Sequence, residues 1–196
     1  MPTDGRAARA ARTRDAIVEA SVALVEEGDV RPTAPRIAER AGVSVRSVFQ
    51  HFDDLPALHT AVVHRVVERL AVLVVPADPT LPLAERIDAF ARNRAVLLEA
   101  VSPFRRAAAV HGPFAPELRD AVAQGSAFLR QEVEAAFAPE IEAAAPADRR
   151  QLVDTLAAAT SWGVWDALRT DAGDTADQAR AVLGRLLSAL LAARRG

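Results

Sequence analysis

The 196-residue chain predicts an all-α protein of about nine helices, and three observations support this fold class. Apolar residues recur at intervals of three and four along nearly every segment, which is the period of an amphipathic helix. No stretch alternates apolar and polar residues over the length of a strand. Proline and glycine fall between the periodic segments, where helices begin and end. The hydrophobic content of 51% is enough for a substantial core.

The first three helices predict a small head over residues 1–54. Ile17, Ala20 and Leu24 form an apolar stripe on the first helix, which we expect to end near Gly28. The next two helices lie within residues 37–52, which read IAERAGVSVRSVFQHF. Two short helices joined by a tight turn are the layout of a helix-turn-helix motif.

Local signals define the turn inside this motif. Gly42 stands where the second helix ends, because a glycine tolerates the positive φ of a helix C-terminus. Val43 returns to the core, and Ser44 is expected to cap the third helix. Val48 and Phe52 fall one turn apart and are predicted to point inward.

The remaining residues, 55–196, predict a larger helical body. The residues from Asp53 to Pro56 indicate a cap with a proline in the first turn of a long fourth helix, which extends to about Val75. Three prolines within residues 75–82 must end it. Further helices are expected over about 83–101, from Pro103 to near Gly112, from Pro116 to Pro139, over 147–169 and over 175–194.

The outward face of the third helix is the candidate surface for reading DNA. Its residues Val45, Arg46, Ser47 and Gln50 are the candidates for base edges. Arg46 is the strongest of them, because an arginine can pair with O6 and N7 of a guanine. The candidates for the DNA backbone are Thr33, Arg36 and His51, together with Arg12 or Arg14 from an N-terminal arm that could enter the minor groove.

Charge distribution agrees with a small DNA footprint. The net charge of -2 and the pI near 6.1 argue against a protein that coats nucleic acid through bulk positive charge. However, residues 5–14 contain four arginines and no acid, and residues 40–52 also contain no acid. Both segments could therefore face phosphates.

The segment from about residue 16 to residue 58 resembles the N-terminal domain of the TetR family of bacterial transcriptional regulators. The matching residues are IVEA at 17–20, the turn at Gly28, RIAERAGVS at 36–44 and FQHF at 49–52. The resemblance implies about nine helices, a homodimer, and a body that holds a small-molecule effector and shifts the spacing of two DNA-binding heads.

Three positions depart from the family's pattern at the DNA face. Arg46 stands where members commonly carry a small Gly or Pro, Phe49 where they carry Tyr, and Leu55 where they carry a phosphate-binding Lys. Phe49 lacks the hydroxyl that would donate to a phosphate, and Leu55 cannot hold one by charge. We interpret these changes as a variant docking mode that uses Arg46. The alternative is a helix-turn-helix that has lost tight binding.

The resemblance also implies an effector pocket and a dimer interface in the body. Large side chains are the candidates to line the pocket, which favours an apolar or aromatic ligand, although each could equally be ordinary core or surface. These are Phe90, Phe104, Phe114, Phe128, Trp162 and Trp165, with Arg94, Arg105 and His111 as polar anchors. The dimer candidates on the last two helices are Leu152, Leu156, Ala159, Gly163, Val182, Leu183, Leu186, Leu187, Leu190 and Leu191. A hairpin buried within one monomer is the alternative for these helices.

Several other classes are disfavoured by the residues that the chain lacks. It has no cysteine and only four histidines, and neither a glycine-rich phosphate loop nor a nucleophile elbow is present. We therefore predict no enzyme, no catalytic residue, no metal site and no cofactor. No apolar run is long enough to span a membrane, and a cytoplasmic location is expected.

Together these features predict a ligand-responsive regulator, favoured as a repressor, that binds a palindromic operator in double-stranded DNA as a homodimer. The alternative is an all-α dimeric adaptor that binds proteins and has lost specific DNA binding.

Overall fold

The computed structural model describes residues 3–111 and 115–192, with side chains placed for 5–110 and 115–192. These residues form helices and no strand, which confirms the all-α fold class. The α-helices are α1 (Thr3–Glu26), α2 (Ala34–Ala41), α3 (Val45–His51), α4 (Leu55–Ala71), α5 (Leu83–His111), α6 (Pro116–Ala136), α7 (Ala138–Ala143), α8 (Arg149–Ala159), α9 (Trp162–Asp166) and α10 (Ala176–Ala192). A π-helical turn, Ala167–Asp171, directly follows α9. Within these residues, no helix is long and apolar enough to cross a membrane.

The described residues divide into two compact units. The head unit holds those within 1–72 and 103–122, and the body unit holds those within 73–102 and 123–196. Helix α5 contributes its first part to the body unit and its last part, from Pro103, to the head unit.

The head unit is built around a single apolar cluster where α1 packs against α2, α3 and α4. The predicted inward residues Val48 and Phe52 are both buried there, at 1% and 3% exposure. The other buried members are Ile17, Val18, Ala20, Val22, Leu24, Ile37, Ala38, Leu58 and Val66.

The predicted helix signals of the head are confirmed. Gly42 ends α2 with φ 67°, in the left-handed region that favours glycine. The Ser44 side chain accepts a hydrogen bond from the Ser47 N–H at 3.1 Å and caps α3. The Asp54 side chain accepts one from the Ala57 N–H at 2.8 Å and caps α4. Gly42 and Ser44 lie in the turn between α2 and α3, so they set the direction in which α3 presents its outer face.

The body unit has two apolar clusters. One joins α5, α6, α8 and α10 through Ile87, Phe90, Val133, Ala136, Phe137, Leu152, Leu156, Leu187 and Leu191. The other surrounds the fully buried Trp165 and contains Ala95, Leu98, Ala179 and Leu183.

Three predicted helix boundaries in the body are wrong. Helix α5 continues through Pro103 instead of restarting there, so the helix forgoes the bond that an N–H at this position would make to the Glu99 carbonyl. The predicted helix over 147–169 is divided, because the Ser161 side chain accepts from the Val164 N–H and starts α9. Pro139 lies in the first turn of α7 rather than at the end of α6, which is the helical position that proline favours.

Candidate DNA interface and effector site

Helix α3 presents an outer face that is exposed along its length. Val45, Arg46, Phe49 and Gln50 are exposed, while Ser47 is half-buried. Among the residues that the structure describes, the Arg46 side chain makes no hydrogen bond or ion pair. Its guanidinium can therefore engage a guanine without first leaving a protein partner.

The arginines of α2, unlike Arg46, form ion pairs with acids of the turn that precedes α2. Arg36 donates through Nη1 to Asp29 Oδ2, and Arg40 binds both carboxylate oxygens of Glu27, with Nη1 to Oε2 at 3.0 Å. The hydrogen bond from Arg40 lowers the pKa of Glu27. Asp29 is itself fixed, since Oδ1 accepts the Arg31 N–H at 3.0 Å. In the DNA contact that the sequence predicts, these acids would compete with the phosphates for the arginines.

The remaining backbone candidates lie at the two ends of the motif. Thr33 is the exposed N-cap of α2, and its side chain makes no capping hydrogen bond. His51 is half-buried in the last turn of α3.

The N-terminal arm predicted from the sequence is helical. Arg12 and Arg14 lie on α1, which is helical from Thr3. A helix is about 10–12 Å wide with its side chains, whereas the minor groove is about 6 Å wide, so α1 itself cannot lie in the groove, and entry of the Arg12 or Arg14 side chain stays a prediction. The Arg14 guanidinium carbon lies 4.7 Å from the centroid of the Phe52 ring, in a cation–π contact that stabilises the head.

We expect Asp29→Asn to tighten DNA binding by about two- to fivefold, equally for operator and scrambled duplexes. The amide preserves the Arg31 hydrogen bond and removes the charge that holds Arg36. Fluorescence anisotropy with labelled duplexes measures the change. The gain must disappear in an Arg36→Ala background, because a double-mutant cycle isolates this pair. A gain of the same size without Arg36 would mean that only general repulsion was relieved.

The effector candidates do not converge on one described site. In the head unit, Phe104 packs against the apolar cluster and Arg105 donates to the Val122 carbonyl at 3.2 Å, with burial lowering the pKa of its guanidinium. In the body unit, Phe128 is 40% exposed. The His111 side chain and Phe114 lie outside the described residues.

Two of the effector candidates, Arg94 and Phe90, contact each other in the described part of the body unit. The Arg94 guanidinium carbon lies 4.7 Å from the centroid of Phe90, and that ring contacts Phe137 edge-on at 5.2 Å. Arg94 Nη2 donates to the Leu129 carbonyl at 2.9 Å and lies 3.5 Å from Glu132 Oε2. Burial lowers the pKa of Arg94 to about 10 and raises the pKa of Glu132. Sequence analysis missed Glu132, because nothing in its spacing links it to Arg94.

The two tryptophans are bound to α5 through their indole N–H groups. Trp165 donates to Glu99 Oε1 at 2.8 Å, and Arg169 Nε donates to the same oxygen at 2.8 Å. Trp162 donates to the Ser102 hydroxyl at 3.1 Å. These bonds, and the full burial of Trp165, indicate that both side chains position α9 and its π-helical turn against α5.

The dimer candidates separate into two sets. Five are buried within the single chain and therefore cannot supply direct partner contacts: Leu152, Leu156, Leu183, Leu187 and Leu191. The others keep exposed surface on α8, α9 and α10: Ala159, Gly163, Val182, Leu186 and Leu190.

The chain combines a helix-turn-helix head, in which the outer face of α3 is exposed, with a larger helical body. This is the fold of an all-α DNA-binding regulator. No protein-family profile and no curated protein matches the chain. Solved structures do match. A protein described as a TetR-family transcriptional regulator from Mesorhizobium loti superposes with a TM-score of 0.68 at 19% identity, covering 94% of this chain and 98% of that one.

Two further structures give the same result. A protein described as a TetR-family regulator from Rhodococcus sp. has a TM-score of 0.68 at 19% identity, covering 91% of this chain and 98% of that one. The multidrug binding protein EbrR, in complex with imidazole, has a TM-score of 0.58 at 24% identity, covering 88% and 93%. The chain therefore has the fold of the TetR-type transcriptional regulators, as the sequence resemblance predicts.

Proposed function

We propose that this protein is a ligand-responsive transcriptional regulator, favoured as a repressor, which binds a palindromic operator as a homodimer. The observation that carries the proposal is the exposed Arg46 on a helix whose direction is fixed by the Gly42 turn and the Ser44 cap. In this assignment residues 1–54 are the DNA-binding domain, and residues 55–196 bind the effector and dimerise.

The proposed dimer uses the half-exposed surface of α8 and α10, with Val182, Leu186 and Leu190 as its apolar members. A two-fold dimer presents two copies of α3, so it should read two half-sites about 34–36 Å apart or slightly more.

For the effector, the proposal rests on the body unit, where buried aromatic residues lie beside the Arg94–Glu132 pair. An effector regulates DNA binding only if it prefers one head spacing over another. A preference of about 1–3 kcal/mol changes DNA affinity some 5- to 150-fold.

The test is selection of random duplexes by the purified protein, followed by sequencing and anisotropy on the selected operator. We expect a palindrome to be enriched. Arg46→Ala should lose about 1–3 kcal/mol of discrimination at one position of each half-site. Arg36→Ala should weaken all sequences alike, because it contacts phosphate.

Two results would contradict the proposal. Enrichment of no palindrome would leave the protein-binding adaptor as the better interpretation. An identical loss for both variants at every operator position would show that Arg46 does not read a base.

A further inference from the structure

Helix α1 extends well beyond the head that it packs against. Its 24 residues correspond to a length of roughly 36 Å. Residues 5–12 are all exposed, whereas the packed part of the helix begins at Ile17. The exposed part is rich in alanine and arginine, which are strong helix formers. Forming the first turn of a helix is the unfavourable step, and the packed part already provides that turn. The extension therefore remains helical.

One stripe of α1 changes from apolar to basic along its length. The stripe advances by three or four residues at each step, so its members share a helix face. From the packed end to the free end it contains Leu24, Ala20, Ile17, Thr13, Arg9 and Arg6.

The packed end of this stripe lies in the apolar cluster of the head, which also holds Ile37 and Ala38 of α2 and Val48 of α3. The side facing α4 is marked by ion pairs, in which Glu19 binds Arg65 and Arg69 of that helix. Glu19 is about 140° around the helix from Leu24, at 100° per residue. The packed end of the stripe therefore lies on a different side of α1 from the ion pairs with α4.

We propose that Arg6 and Arg9 bind DNA phosphates beside each half-site while α1 stays helical. Among the residues that the structure describes, neither forms an ion pair or a hydrogen bond through its side chain. No acid lies between Gly5 and Arg14, so the surface is complementary to the DNA backbone. A helix about 10–12 Å wide cannot itself lie in a minor groove about 6 Å wide, so we assign the flanking phosphates as the target. This inference rests on the proposed DNA-binding function.

The test compares Arg6→Gln/Arg9→Gln with a charge-matched control, Arg92→Gln/Arg150→Gln. The control arginines lie on α5 and α8 of the body unit, and each has only an ion pair to an acid four residues away. Anisotropy is measured from low to high salt with operator and random duplexes, and circular dichroism checks that each variant is folded.

For Arg6→Gln/Arg9→Gln we expect affinity at low salt to fall at least about tenfold on both duplexes, with the operator preference unchanged. The slope of log K against log salt should become shallower by roughly 0.9 for each phosphate that the protein no longer neutralises, hence by up to about 3.6 for a dimer. The body control should match the wild type.

Other outcomes overturn the inference in distinguishable ways. A slope equal to that of the body control shows that Arg6 and Arg9 do not contact phosphates, whether or not the wild type selects an operator. A loss of operator preference shows base reading instead. Absence of salt-dependent DNA binding by the wild type removes the proposed function together with this inference.

Discussion

Phe52→Ala is expected to destabilise the head by about 3–5 kcal/mol and to weaken the proposed DNA binding. The ring is 3% exposed and packs in the apolar cluster that joins α1, α2, α3 and α4. Replacing a buried phenylalanine by alanine costs about 3–5 kcal/mol, a large part of a domain's total stability of about 5–15 kcal/mol. The variant also loses the ring on which the Arg14 guanidinium rests.

Phe49→Ala is the matched control, because it removes the same side chain three residues earlier. Phe49 is 48% exposed on the outer face of α3. Its truncation should change the free energy of unfolding by no more than about 0.5 kcal/mol. Urea denaturation followed by circular dichroism measures both variants. Equal losses, or a loss below about 1 kcal/mol for Phe52→Ala, would show that Phe52 does not hold the head together.

The contrast between these two phenylalanines was predictable from the sequence, as were the turn and caps around them. Gly42, Ser44 and Asp54 act on backbone groups no more than four residues away, so their signals are local. The direction of α3 follows from those local signals, which is why the candidate DNA face could be predicted residue by residue.

Partners distant in sequence could not be predicted in the same way. Nothing in the spacing of Asp29 and Arg36 indicates an ion pair, because the pair depends on how the turn after α1 folds back on α2. Arg86, Phe90 and Arg94 recur every four residues along α5, and this repeat was the available signal that two arginines share the buried face.

Apolar periodicity also cannot say which molecule covers a face. The leucines at 183, 187 and 191 were expected at a dimer interface, but they lie in the core of the same chain. A stripe buried by a neighbouring helix and a stripe buried by a second copy have the same period. Pro103 shows a similar limit, because packing along α5 outweighs a helix-breaking preference of roughly 3 kcal/mol.

Arg86→Met is expected to destabilise the body unit by about 3–5 kcal/mol, which is the usual loss when one partner of a buried ion pair is removed. Arg86 is 3% exposed. Its Nε donates to the Leu81 carbonyl at 3.0 Å, and Nη1 donates to the Ala136 carbonyl at 2.8 Å and to Glu140 Oε2 at 2.9 Å. The substitution leaves two carbonyls and a largely buried carboxylate without this donor.

Two further variants identify the source of that loss. Arg92→Met removes an exposed arginine of the same helix, paired with Asp88 four residues away, and should change the free energy of unfolding by no more than about 0.5 kcal/mol. Arg86→Met/Glu140→Leu should recover most of the stability, because replacing both members of a buried pair by apolar residues is often neutral. Denaturant melts measure all three.

If the double variant is as unstable as Arg86→Met, the loss comes from the carbonyls of Leu81 and Ala136, and the ion pair contributes little. If Arg86→Met melts like Arg92→Met, the network does not stabilise the body unit.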